Sequence, residues 1–174
     1  MTPRRWISPP KVKAEQLRLG VVTPAFALRP AVRFDAVWIT ELRAEVMRAD
    51  LERLGRFDPL RVRQRFLDAF IPEQTFVIHV QGVDAGVIAV RPEPDEQWIE
   101  HFYLSPTHQG MGLGSAVLHR VMADHADHRP FRLNVLQGSP ARRLYERLGF
   151  ELESEDPVDV FMVARGATAG TPGR

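Results

Sequence analysis

Short apolar runs bounded by polar turns predict strands at Phe26 to Leu28, Phe76 to Val80, Ala85 to Val90 and Trp98 to Leu104. Helical spacing marks a segment opening at Asp35, with Val37, Ile39, Leu42 and Val46 on one side. A second marks residues 59–70, where Leu60, Val62, Phe66, Leu67 and Phe70 form the apolar side. Gln81-Gly82-Val83-Asp84 lies between two apolar runs and predicts a hairpin, and Pro92 to Asp95 turns the chain into the next strand. A helix is expected from about Gly114, then a strand around Leu133 and Val135. Ser139 then caps a short helix with Pro140 in its first position and Ala141, Leu144, Tyr145 and Leu148 at helical spacing. Gly149 suits a left-handed stop before strands at Phe150 to Glu153 and Val158 to Val163. This order gives one mixed α/β domain over 25–165, without an internal repeat. Prolines at 3, 9, 10 and 24 among charged residues predict a mobile or loosely docked arm over 1–24, and 166–174 read as a flexible tail.

The stretch from Trp98 to Leu118 is a strand, a glycine-rich turn and an amphipathic helix, which is a pattern that holds phosphate. Gly110, Gly112 and Gly114 let successive amide N–H groups point into one concavity. The helix start adds unsatisfied donors and a partial positive charge. A nucleoside-triphosphate loop needs a lysine after its last glycine, whereas the only lysines are Lys11 and Lys13. The dinucleotide fingerprint counted from Gly110 puts Ser115 in its third glycine position, with no acidic strand end at the expected distance.

What remains is Gln109-x-x-Gly112-x-Gly114. It resembles the acyl-CoA loop Q/R-x-x-G-x-G/A of the GNAT acetyltransferase superfamily, and the segment Leu144-Tyr145-Glu146-Arg147-Leu148-Gly149-Phe150 resembles that superfamily's LYExLGF block. The resemblance spans roughly residues 26–164 and is strongest over 98–150. It implies a mostly antiparallel central sheet with flanking helices and acetyl-CoA as acyl donor. The loop amides from Gln109 through Gly110, Met111, Gly112, Leu113, Gly114 and Ser115 would hold the coenzyme diphosphate, with Arg142 reaching its phosphates. The superfamily often carries an asparagine where this chain has Gly138 or Ser139, so Ser139 is the substitute coenzyme contact.

In that superfamily an amine attacks the thioester directly, beside a backbone N–H near the end of the strand carrying Phe102, Tyr103 and Leu104. Tyr145 matches the tyrosine that protonates the leaving thiolate. Glu100 is the candidate base through water and His101 its substitute. Strand alternation places Glu100 with Trp98 and Phe102, opposite Ile99, His101 and Tyr103. In that superfamily the first two helices border the acceptor cleft, which implies a role there for Arg43, Glu45, Arg48, Asp50, Glu52, Arg53 and Arg56; read as residues alone, their mixed charge is a solvated helical surface.

Composition narrows the rest. Zero cysteines remove thiol nucleophiles, disulfides and cysteine metal sites. His125 and His128, with Asp124 and Asp127, read as a polar helix end, so no metal is expected. A net charge of +1 supplies no field that draws a chain to nucleic acid or membrane, although 21 of its 23 basic residues are arginines. There is no apolar run long enough to span a bilayer and no apolar signal core near Arg4, Arg5 and Trp6, so the cytoplasm is the expected location. Acetyl-CoA and an amine are the expected partners of a monomer or homodimer. The functional expectation is N-acetyl transfer to a primary amine of a small molecule or peptide; the alternative is an acyl-CoA-binding module without transfer activity.

Overall fold

The computed structural model describes residues 23–165. The expected arm, save Thr23 and Pro24, and the expected tail lie outside them. The chain forms β1 (Phe26–Pro30), α1 (Asp35–Arg53), α2 (Pro59–Ala69), β2 (Thr75–Val80), β3 (Val83–Pro92), β4 (Gln97–Leu104), α3 (Leu113–Asp124), β5 (Phe131–Leu136), α4 (Ala141–Arg147), β6 (Glu151–Glu155) and β7 (Asp159–Ala164). One sheet runs β1-β2-β3-β4-β5-β7-β6, with every neighbouring pair antiparallel except β4 and β5. No helix among the described residues is long and apolar enough to cross a membrane.

Side-chain chemistry accounts for the element ends. Asp58 accepts hydrogen bonds from the N–H groups of Leu60 and Arg61, and Pro59 occupies the first turn of α2. The β2–β3 hairpin is tighter than the four-residue turn expected. Gln81 and Gly82 alone form it, both with positive φ, the two-residue geometry whose twist matches the strands. The expected cap on α4 is displaced: the helix begins at Ala141, and the Ser139 hydroxyl accepts only a long bond from the Ala141 N–H, 3.4 Å.

The sheet separates two apolar layers. The larger packs α3 and α4 on one face through Leu113, Val117, Leu118, Val121 and Tyr145, against Ile78, Ile88, Ile99 and Leu133. The smaller, Ile39, Phe66 and Val87 with Trp38, Phe70 and Tyr103, lies under α1 and α2. Three positions assigned by periodicity to apolar sides face solvent instead, Val37 at 72% exposure, Leu60 at 79% and Leu67 at 46%. Asp35, by contrast, is buried. Its carboxylate takes both terminal nitrogens of Arg29, the Trp38 indole and the Val32 N–H, all within 2.9 Å, and so joins β1 to the start of α1. Arg29 also reaches Asp84 on β3.

Candidate active site

Strands β4 and β5 pair only at Gln97–Phe131 and Trp98–Arg132, then diverge. The vertex of this V is pinned by Gln97, 2% exposed, which donates its backbone N–H to Pro130 and its side-chain amide to the His125 carbonyl, 2.9 and 2.8 Å. Beyond the vertex, the β5-facing backbone edge of β4 has no strand partner among the described residues.

A bulge in β4 reshapes the site. Glu100 stands opposite Ala89 and Tyr103 opposite Val87, so His101 and Phe102 together face Ile88, and His101 takes a φ of +50°. The extra residue reverses the alternation expected from the sequence. Glu100, His101 and Tyr103 share the α1/α2 side: Glu100 pairs with Ala89 in the register of Val87, and the His101 ring meets Phe66 edge-on at 5.0 Å. Phe102 packs with Leu104 against the opposite core. Strict alternation of Glu100 with Phe102 is thus corrected.

Arg91 on β3 holds Glu100, with Nε and one terminal nitrogen both donating to Oε1, 3.2 and 2.9 Å. Oε2 has no partner among the described residues. Arg43 on α1 donates to the Tyr103 hydroxyl at 3.0 Å and to the Val62 carbonyl, placing the α1–α2 pair over β4. Burial pushes the Tyr103 hydroxyl upward in pKa, opposed by Arg43; burial lowers the His101 imidazole below its ordinary range, opposed by Glu100 and assisted by Arg43. His101 Nδ1 lies 3.4 Å from the Tyr103 hydroxyl, and its buried Nε2 has no partner among the described residues.

On the other side of the sheet, Tyr145 is 7% exposed and meets Phe150 edge-on at 5.9 Å. Burial raises its pKa strongly, and Tyr103 adds to the rise, so the phenol is protonated across neutral pH.

The glycine loop joins β4 to α3. Gly110 and Gly112 each have φ +76°, whereas Gly114 is helical. Its lack of a side chain serves packing: a Cβ there would stand 3.2 Å from Leu144 and 3.6 Å from Leu104. No acceptor among the described residues meets the N–H groups of Gly110, Met111, Gly112, Leu113, Gly114 or Ser115; the first α3 hydrogen bond runs from Ala116 to the Gly112 carbonyl. A row of free donors at a helix start fits an anion. The Gln109 side chain turns back to the Leu104 carbonyl at 2.9 Å and so fastens the turn.

Other candidates sit apart from this loop. Arg142 pairs with Glu146 at 2.9 Å and approaches Glu155 at 4.0 Å. Arg48 bonds Glu52 and lies over the Phe57 ring, and Arg53 spans from Asp50 to the Gln137 carbonyl. No group of three His, Cys, Asp or Glu among the described residues could hold a metal. The bulge and the Arg43–Tyr103 bond escaped sequence reading, because neither the extra strand residue nor a contact across 60 positions leaves a local signal.

Residues 72–152 match a family model described as an acetyltransferase (GNAT) domain. Over these residues the chain has the α/β fold of GNAT acetyltransferases. The GNAT fold also extends beyond them. An acetyltransferase of the GNAT family from Streptococcus agalactiae superposes with a TM-score of 0.66 at 16% identity, covering 86% of this chain and 100% of that one. PaiA N-acetyltransferase from Thermoplasma acidophilum, in complex with coenzyme A, gives 0.65 at 17% identity over 82% of this chain and 99% of that one. N-acetylglutamate synthase from Neisseria gonorrhoeae, complexed with coenzyme A and L-arginine, gives 0.59 at 17%, covering 82% of this chain and 34% of that one. At these identities the likeness is one of fold. No curated protein matches the chain in sequence.

Proposed function

We propose that the protein transfers an acetyl group from acetyl-CoA to a primary amine of a small molecule or peptide. The row of unmet amides from Gly110 to Ser115, at the mouth of the β4–β5 V, carries this reading. Those donors bind the coenzyme diphosphate, and the free edge of β4 receives the pantetheine amides. A backbone N–H among Phe102, Tyr103 and Leu104 polarises the thioester carbonyl.

The amine nitrogen attacks that carbonyl carbon, forming the amide bond as the carbon–sulfur bond breaks. Glu100 takes the amine's proton through water at Oε2, the oxygen that Arg91 leaves free. Tyr145 supplies a proton to the thiolate, and its burial keeps that proton in place until the sulfur needs it. Ser139 and Arg142 serve the coenzyme only at the rim, since Arg142 must first give up Glu146.

A second reading, an acyl-CoA-binding module without transfer activity, draws support from the Arg91–Glu100 ion pair, which occupies one oxygen of the base. Incubation with acetyl-CoA and a panel of amines, read by release of free thiol, separates the two. Amine-dependent thiol release supports transfer. Binding of acetyl-CoA by calorimetry without release from any amine overturns it in favour of the module.

A further inference from the structure

Thr23 lies against the glycine loop, although nearly ninety residues separate them in sequence. A Cβ on Gly112 would stand 2.9 Å from the Thr23 Oγ1. Phe26 pairs with Val80 beside the β2–β3 hairpin, and Gly86 just past that hairpin pairs with Leu104, so the start of β1 lies at the end of the sheet from which the loop departs. Phe26 packs on the α3 side of the sheet. Thr23 is exposed, and its hydroxyl makes no hydrogen bond to any described residue.

We propose that Thr23 is a diphosphate-binding residue, its hydroxyl adding a side-chain donor to the backbone donors of Gly110 to Ser115. This rests on the acyl-CoA reading of the loop. A hydroxyl beside an anion forms a charge-assisted hydrogen bond, stronger than a neutral one. The glycine at 112 is then required twice, for its φ of +76° and for the room it leaves the threonine.

The test compares Thr23→Val, which keeps the shape and loses the donor, with Thr23→Ser, which keeps the donor. Calorimetry with CoA should show binding weakened roughly tenfold in Thr23→Val and near the parent in Thr23→Ser. Turnover of S-acetyl-pantetheine, which lacks the diphosphate, should be the same in all three proteins. Parent-like or tighter CoA binding by folded Thr23→Val overturns the proposal; the tighter case would mean that the hydroxyl obstructs the loop. Equal loss with S-acetyl-pantetheine also overturns it, in favour of a packing role. If the parent chain fails to bind CoA, the loop reading itself falls and this assignment with it.

Discussion

Gly114 of α3 and Leu144 of α4 approach so closely that a β-carbon on the glycine would lie 3.2 Å from the leucine Cδ2. The loop glycines therefore fail in different ways. Gly114→Val forces side-chain volume between α3, α4 and β4 and should cost about 1–3 kcal/mol of stability, seen as a lower urea midpoint. Gly110 has open space around it but a φ of +76°. Gly110→Ala should cost about 1 kcal/mol in stability while weakening CoA binding more than Gly114→Val does once corrected for the unfolded fraction. Equal midpoints for the two variants would refute the division.

Tyr145→Phe removes one oxygen from a buried ring that already packs edge-on to Phe150. With the shape preserved, kcat should fall about 100-fold while the KM for acetyl-CoA changes little. Matching losses in kcat and coenzyme affinity would assign the ring to packing.

Glu100→Gln keeps the length of the side chain but loses the base. Steady-state rates should fall at least about tenfold at neutral pH, with CoA binding intact. His101→Gln should retain more activity, because the Nε2 atom is buried where an acceptor cannot reach it. The reverse ranking would transfer the base role to His101.

Acid should destabilise the fold in two stages. Burial lowers the His101 pKa, so the unfolded chain takes up a proton first, and stability falls as pH drops below about 6.5 toward the lower folded value. Hydrogen bonds from Arg29 depress Asp35 well below its ordinary 3.8, so a second loss begins below that pH. His101→Gln should abolish the first stage and Asp35→Asn the second, in urea midpoints measured against pH. Asp35→Ala should cost about 2 kcal/mol at neutral pH, below a fully buried pair because Arg29 is partly exposed and keeps Asp84.

Every strand and α-helix was legible from spacing and turn chemistry, because those signals are local; the single-turn 3-10 helices at Pro72–Gln74 and Pro106–His108 were not. The site was legible where a motif is continuous in the chain, as from Gln109 to Gly114 and from Leu144 to Phe150. The face of Glu100 was misread because the alternation rule assumes an unbroken strand, and nothing in Glu100-His101-Phe102 announces the bulge. Val37, Leu60 and Leu67 were misplaced because apolar spacing alone leaves a helix's rotation free by a residue or so, whereas Ile39, Phe66 and Val87 fix it by packing. Thr23 lies against Gly112 from the far end of the described chain, an approach that no local pattern encodes.

Two rungs of pairing between Gln97–Phe131 and Trp98–Arg132 are all that stitch the left half of the sheet to the right by main-chain bonds. A thioester carrier seated there would act as a missing strand, mortar between two walls. The apo protein should then breathe at that seam, and deuterium uptake along β4 past Trp98 should slow on CoA addition more than anywhere in β2 or β7.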